Sequence, residues 1–399
     1  MTDFAVLRER GPFTRASQTS AITGSTDEFF AVTRHAELNE ISRRPQDFCS
    51  GQGTTSIADL PAEALEFFGS FIAMDDPRHA RQRGIVARGF TPRRLQGLLD
   101  SVDTICTEVI DAMCEDGEAD LVTAISQPFP LLVICDLMGI PRSEFDTVLR
   151  ATNVILGGGD PEMLGDATDA VTAILEAGVE LTALMGDLAI SRRADPRDDL
   201  TSALVHAGLD EDLLTSDEIA SFFILLAVAG NDTTRTAISL GAHLLSEHPD
   251  QRRTWTEDFN TTATAIEEIV RYASPVTFMR RTVTHDLTLS DHDFSEGDKV
   301  ILFYGAANRD PRAFDDPERF DIRRNPNPHV GFGGPGPHFC LGAHLARREL
   351  AVVFRQLLTR FPDLKVTGEP VPLHTHGVPL IGGIKHLPVA YAPQRPSVA

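Results

Sequence analysis

Apolar residues recur at helical spacing through most of the chain. Between residues 100 and 190, Ile105, Val109, Ile110 and Met113 show the three-to-four-residue repeat of helices that bury one face. A longer run opens at Thr215-Ser216-Asp217-Glu218, which matches a capping box. Its apolar phase continues from Ile219 through Gly230, and the helical pattern runs on to His248-Pro249. The spacing predicts a helix of more than thirty residues, apolar all round in its first third and therefore buried, yet too short there to span a membrane. Ala265–Arg271 predicts a further helix, ended by Pro275. Strand patterns are fewer: Glu28–Thr33, Val276–Val283 and Lys299–Tyr304 predict strands, and Val371–Val389 a series of turns and short strands. Residues 1–27 read as loosely ordered, and the Gly/Ser/Thr-rich stretch Ser50–Leu60 as a mobile loop.

Two places break the helical pattern without a folding reason. Inside the long helix, Ala229-Gly230-Asn231-Asp232-Thr233-Thr234 combines a glycine, a carboxylate and β-branched hydroxyl residues, all of which lower helix propensity. In a buried helix this points to function: small residues leave room for a ligand, and an acid–hydroxyl pair relays protons. The second break is Gly331-Phe332-Gly333-Gly334-Pro335-Gly336-Pro337-His338-Phe339-Cys340-Leu341-Gly342. Its glycines and prolines forbid regular structure before the cysteine, and Ala343–Leu350 then reads as an amphipathic helix. Cys340 therefore stands where a stiff loop feeds a helix N-terminus, a setting that favours a thiolate. An axial haem ligand and a catalytic cysteine both need that setting. Gly157-Gly158-Gly159-Asp160-Pro161 also interrupts a helix, and reads equally as a loop over a pocket or as a plain connection.

Composition narrows the choice. The net charge of 36 − 58 = −22 disfavours nucleic acid as a partner. Five scattered cysteines with no CxxC pair argue against disulfides and zinc, and Cys106, Cys114 and Cys135 fall on apolar helix faces as packing residues. With no early apolar run behind a basic start, neither a signal peptide nor a membrane anchor is expected, and the expected location is cytoplasmic. Against the acidic background one stretch stands out. From Pro77 to Leu99 there are six arginines and no acidic residue. Charge runs are mostly solvated faces, but His79 and Arg83, four apart, share a helical face and can grip carboxylates together. The remaining arginines, Arg78 to Arg94, would form a docking face for an acidic partner. Glu268 and Arg271, three apart, can pair on one face, although such a pair is more often a surface one.

Taken together these residues resemble the bacterial cytochrome P450 family over nearly the whole chain. The motifs stand in the family's order: HxxxR as His79 and Arg83, AGxDT as Ala229-Gly230-Asn231-Asp232-Thr233, ExxR as Glu268 and Arg271, and GxHxCxG as Gly336, His338, Cys340 and Gly342, with Phe314–Phe320 between the last two. The resemblance implies a single domain over 1–399, mainly α with a smaller β region: a triangular helical prism with haem between the long central helix and the cysteine-loop helix. It implies haem b (heme b, iron protoporphyrin IX) ligated by Cys340, whose thiolate promotes O–O cleavage. His79, Arg83, Arg281 and His338 would hold the propionates, and Ala229, Gly230, Phe332, Gly333 and Gly342 would line the cofactor. Glu268, Arg271 and Arg324 would be structural, Asp232 and Thr233 catalytic through proton delivery. Phe222, Phe223, Val228, Val276 and Phe278 are candidates for an apolar substrate wall, or for plain core. One departure is visible: the family commonly has phenylalanine seven residues before the cysteine, where this chain has Gly333, with Phe332 one residue further out.

The expected activity is hydroxylation of a hydrophobic small molecule, using O2 and electrons from a ferredoxin with its reductase docked on the Arg78–Arg94 face. The stretches Met74–Pro77, Phe223–Leu226 and Phe303–Asp310 are similar to actinobacterial hydroxylases of sterol side chains, methyl-branched lipids and terpenoids, so a lipid- or terpenoid-like substrate oxidised near a chain terminus is expected. The alternatives are a peroxide-driven peroxygenase of the same fold, which more often lacks the acid–threonine pair, and a non-catalytic haem sensor, which needs neither proton relay nor donor patch. A cysteine hydrolase is weaker still, since only His338 stands near Cys340.

Overall fold

In the computed structural model, residues 2–19, 24–89, 92–157, 160–165, 169–206, 214–373 and 378–397 are described. In chain order the helices are α1 (Thr2–Arg10), α2 (His35–Ser42), α3 (Ala62–Gly69), α4 (Arg78–Gly89), α5 (Pro92–Asp111), α6 (Pro128–Met138), α7 (Phe145–Gly157), α8 (Pro161–Leu164) and α9 (Ala170–Ala194). They continue as α10 (Leu200–Val205), α11 (Ser216–Glu247), α12 (Pro249–Glu257), α13 (Thr262–Ala273), α14 (Tyr304–Ala307) and α15 (Ala343–Arg360). The strands are β1 (Phe13–Thr19), β2 (Thr26–Val32), β3 (Phe48–Cys49), β4 (Glu118–Asp120), β5 (Phe278–Val283) and β6 (Leu287–Leu289), then β7 (His292–Phe294), β8 (Lys299–Phe303), β9 (Lys365–Val366), β10 (Val371–Pro372), β11 (Ile384–His386) and β12 (Pro388–Ala390). The chain divides into two compact units, one formed by Met1–Ala80, Thr261–Ala343 and His376–Gly382, the other by Arg81–Asn260, His344–Thr375 and Gly383–Ala399.

The first unit is built on a mixed sheet of order β1-β2-β8-β5-β3, in which β2 and β8 run parallel and the other pairs antiparallel. Strand side chains alternate between faces, and both faces of this sheet are covered. Val300 and Leu302 of β8 pack with Val32, Leu38, Ile41 and Phe48, while Ile301 and Phe303 pack with Phe29, Ile57 and Phe278. That explains the nearly continuous apolar run of β8. The N-terminal segment departs from the expected loose order: Thr2–Arg10 is helical and Phe13–Thr19 pairs in full register with β2. Its pairing partner lies just beyond the segment, so the segment's own composition carried no sign of it. The Ser50–Leu60 stretch is likewise held, with Ser50 and Gly51 donating backbone N–H groups to Asp75 at 2.8 Å each.

The second unit is helical around α11. Its capping box forms as the sequence predicts: Glu218 N–H donates to Thr215 Oγ1 at 3.1 Å, and Thr215 N–H to Glu218 Oε2 at 2.9 Å. Ile219, Phe223, Ile224, Ala227, Ile238 and Ala242 bury its apolar surface. Trp255 of α12 is fully buried, its ring 5.4 Å from Phe354 of α15. Among the described residues no helix is long and apolar enough to cross a membrane.

Candidate functional site

The glycine loop gets its shape from what it lies against. A Cβ on Gly336, which has φ +151°, would stand 2.1 Å from the Ser42 carbonyl oxygen at the end of α2, so no other residue fits there. Gly333 has φ +91°, a conformation a phenylalanine would adopt only under strain, and this accounts locally for the departure from the family pattern. The loop closes through Gly333 N–H to the Val330 carbonyl and Cys340 N–H to the Phe332 carbonyl, each at 2.9 Å. Cys340 is exposed, and the other four cysteines are buried. Burial drives the thiols of Cys106 and Cys135 far up, that of Cys135 to about 12, so both remain neutral packing residues.

Around the Ser50–Thr54 loop the first unit gathers its expected anion-binding groups. The His338 and His79 rings lie 4.3 Å apart, and His338 Nε2 is 3.2 Å from Ser50 Oγ. Arg281 of β5 is buried and donates from Nη1 to Thr54 Oγ1 at 3.0 Å and to the Arg280 carbonyl at 2.7 Å. Burial lowers the Arg281 pKa, with Tyr304 and Asp75 pulling the other way. Among the described residues no carboxylate forms an ion pair with it. A buried guanidinium without a counterion is costly, and an anionic ligand would remove that cost. At Gly342 an added Cβ would meet nothing within 4 Å, so space stands open beside the cysteine. An exposed thiol, a buried Arg281 guanidinium with no carboxylate ion pair among the described residues, and open space suit a planar group bearing two carboxylates, as haem does. Arg83, four residues after His79 on α4, is half-buried.

The Glu268–Arg271 pair of α13 is fully buried, not a surface pair. Arg271 donates to both carboxylate oxygens, Nε to Oε2 at 2.7 Å and Nη2 to Oε1 at 2.8 Å. Arg324 Nε adds bonds at 3.2 and 3.3 Å, Asn327 Nδ2 one at 3.1 Å and the Asp321 backbone N–H one at 2.9 Å. Arg271 also donates to the carbonyls of Asn308, Pro317 and Arg319. This cluster ties the coil before the glycine loop to α13.

On α11 the small and polar residues divide by face. Leu226, Ala229, Gly230 and Thr233 are half-buried along one side, while Asn231, Asp232 and Thr234 are buried. Asp232 Oδ1 lies 2.8 Å from Arg235 Nη2, an ion pair, yet neither carboxylate oxygen accepts a hydrogen bond. Burial raises its pKa and Arg235 opposes the rise. Thr233 Oγ1–H donates to the Ala229 carbonyl at 2.6 Å. Gly230 also serves helix packing, since a Cβ there would stand 2.9 Å from Ile134 Cδ1 of α6. Of the expected substrate wall, Val228 and Val276 are half-buried, and Phe222 and Phe223 are buried. Phe278 sits in the sheet core against Phe303, with ring centroids 6.4 Å apart, which fits the plain-core alternative for it.

The basic stretch is partly spoken for. Arg81 Nη1 and Gln82 Nε2 both donate to Glu218 Oε1 at 2.9 Å, which joins α4 to the α11 cap. Against the effect of burial, bonds from the Thr215 N–H, Arg81 and Gln82 hold the Glu218 carboxyl below its ordinary value. Arg78 and Arg88 are exposed, while the side chains of Arg93 and Arg94, like Gly158 and Gly159, lie outside the described residues. One group escaped the sequence reading. Glu349 of α15 is buried, accepts a hydrogen bond from the Thr234 side chain, and is pushed up by burial to about 8. Its place midway between Leu345 and Val353, four residues from each on the apolar phase of α15, was the available signal.

Comparison with known proteins gives consistent matches. The sequence model of the cytochrome P450 family matches residues 185–382. The methyl-branched lipid omega-hydroxylase of Mycobacterium tuberculosis is 46% identical over 395 residues, covering 98% of this chain and 90% of that protein. The steroid C26-monooxygenase of Rhodococcus jostii is 35% identical, covering 98% of this chain and 81% of that protein. A Mycobacterium marinum cytochrome P450 in complex with pseudoionone superposes with a TM-score of 0.91 at 39% identity, over 98% of this chain and 94% of its own.

Proposed function

The chain belongs to the cytochrome P450 family of haem monooxygenases, and from that premise we propose that it hydroxylates a lipid-like molecule, methyl-branched, sterol or terpenoid in character, near one end of its carbon chain. The observation that carries the substrate class is the 46% identity, across 98% of the chain, to a methyl-branched lipid omega-hydroxylase. The half-buried Leu226 and Ala229, on the side of α11 that carries Thr233, fit an apolar guest.

Residue roles belong to the same proposal. Cys340 would ligate the iron of haem b, and His79, Arg83, Arg281 and His338 would hold its propionates. When bound, it supplies oxygen activation at an iron whose thiolate ligand favours O–O cleavage. Asp232, whose pKa burial raises while Arg235 opposes the rise, would take up and give a proton inside the protein, and the Thr233 hydroxyl would pass it on by turning away from the Ala229 carbonyl. Glu268, Arg271 and Arg324 hold the coil and touch no substrate. Electrons come from a ferredoxin, served by its reductase in the cytoplasm, with Arg78 and Arg88 as the exposed part of its docking face. The intact Asp232–Thr233 pair favours this over direct use of peroxide.

The test is a spin-state titration of the purified haem protein with methyl-branched fatty acids, sterols, terpenoids and macrolides, followed by product analysis with a ferredoxin system. Tight binding and terminal hydroxylation of a branched lipid, sterol or terpenoid are expected. Response to macrolides alone would overturn the substrate class.

A further inference from the structure

Adjacent glutamates of α13 grip the same stretch of coil, and only Glu268 has a role so far. Glu267 Oε2 lies 2.9 Å from His329 Nε2, and the side chain of His329 is 3% exposed. The other ring nitrogen, Nδ1, lies 3.1 Å from the Gly331 backbone nitrogen. A backbone N–H can only donate, so Nδ1 carries the lone pair and Nε2 carries the proton that it gives to Glu267. The imidazole is therefore neutral and held in one tautomer. Gly331 has no freedom to accept another neighbour, because a Cβ there would stand 2.6 Å from Val270 Cγ1 and 3.0 Å from the Val270 carbonyl oxygen. Next in the chain, the Phe332 carbonyl receives the Cys340 N–H at 2.9 Å, and the Phe332 ring lies 5.8 Å from the His329 ring. On the other side, Val330 N–H donates to Asn308 Oδ1 at 2.8 Å, and the Asn308 carbonyl accepts from Arg271 at 2.8 Å.

We propose that Glu267 and His329 form a positioning pair for the axial cysteine: Glu267 orients the imidazole, the imidazole fixes the Gly331 amide, and that amide sets the Phe332 carbonyl on which the Cys340 backbone hangs. The inference rests on the reading of Cys340 as the haem ligand. It adds a positioning residue on each side of the ExxR motif, with neither in contact with the cysteine itself. Outer residues that orient a metal ligand in this way commonly change metal affinity or activity about 10- to 100-fold when altered.

The test compares the reduced carbon monoxide complexes of wild type, His329→Phe, His329→Asn and Glu267→Gln. The strongly red-shifted Soret band in wild type establishes Cys340 ligation by itself, so loss of that reading is distinguishable from loss of this one. His329→Phe keeps a ring beside Phe332 but removes both nitrogens, and its red-shifted carbonyl form is expected to convert to the unshifted form about tenfold faster. His329→Asn keeps an acceptor near the Nδ1 position, and Glu267→Gln keeps an acceptor for Nε2–H, so both are expected to convert at the wild-type rate. Hydrogen exchange at the Gly331 amide, measured independently of the haem band, is expected to accelerate in His329→Phe and not in His329→Asn. Wild-type conversion and exchange in His329→Phe would overturn the proposal, as would a folded His329→Asn that behaves like His329→Phe. If His329→Phe does not fold, Glu267→Leu, which frees the imidazole but leaves it in place, takes its part with the same expected direction and the same overturning result.

Discussion

Two buried carboxylates, one in each unit, sit beside an arginine three residues further along the same helix, yet they are built for opposite purposes. On α13, Glu268 accepts donors at both oxygens from Arg271, Arg324, Asn327 and the Asp321 backbone. On α11, Asp232 has the Arg235 ion pair and no hydrogen bond at either oxygen. A saturated carboxylate cannot take up a proton without breaking several bonds at once, so it serves as a clamp. An under-bonded one, already raised by burial, can exchange a proton at little structural cost. The i,i+3 spacing alone does not tell the two apart.

The largest expected effect tests the clamp. Glu268→Gln puts an amide NH2 among groups that can only donate, and it leaves Arg271 buried without a counter-charge. We expect a loss of about 3–5 kcal/mol in denaturant unfolding and poor haem retention. A loss below about 1 kcal/mol would mean that the donors do not depend on the charge.

Glu349 supplies the next test, as a third buried carboxyl with a single hydroxyl partner. Its folded value of about 8 lies above the ordinary 4.5, so the folded state keeps a proton that the unfolded chain releases. The contribution is fully present below about pH 4.5 and is lost as pH rises through about 8. Wild type should therefore lose up to about 1.4 kcal/mol per pH unit from this group within that window. Glu349→Gln, neutral throughout, should flatten the unfolding free energy between those limits, and equal slopes in the two proteins would sink the assignment.

The smallest effect on stability, and the most informative for function, is expected at Asp232. Asparagine can turn its oxygen to Arg235 but leaves that guanidinium buried without a counter-charge, while no hydrogen bond at the carboxylate is lost, so Asp232→Asn should cost about 1–3 kcal/mol, less than Glu268→Gln. Turnover coupled to product should fall by about 100-fold as the proton source is lost. If Asp232→Asn destabilises as much as Glu268→Gln does, the contrast between clamp and proton store fails.

How much of this was legible beforehand follows from the range of each interaction. The α11 cap and the helix through Glu247 rest on bonds within a few residues and were read from the chain alone, while the apolar run of β8 and the glycine–proline loop at Cys340 were legible as patterns that β2, β5 and Ser42 complete. The N-terminal helix and strand were missed. The packing of Gly230 against Ile134 Cδ1 was not legible, because that atom lies almost a hundred residues away.

The sequence by itself therefore determined the order of motifs and the local conformation that presents Cys340, His79 and the Asp232–Thr233 pair, since short-range hydrogen bonding and periodicity suffice for that. Tertiary structure alone decided which carboxylates are saturated and which are spare, that Phe278 is core, and that His329 stands between Glu267 and the Gly331 amide. Hydrogen-bond satisfaction and burial depend on groups brought from 37 to 227 positions away, as the bonds from Arg271 to Asn308 and from Arg281 to Thr54 illustrate, and no local pattern encodes them.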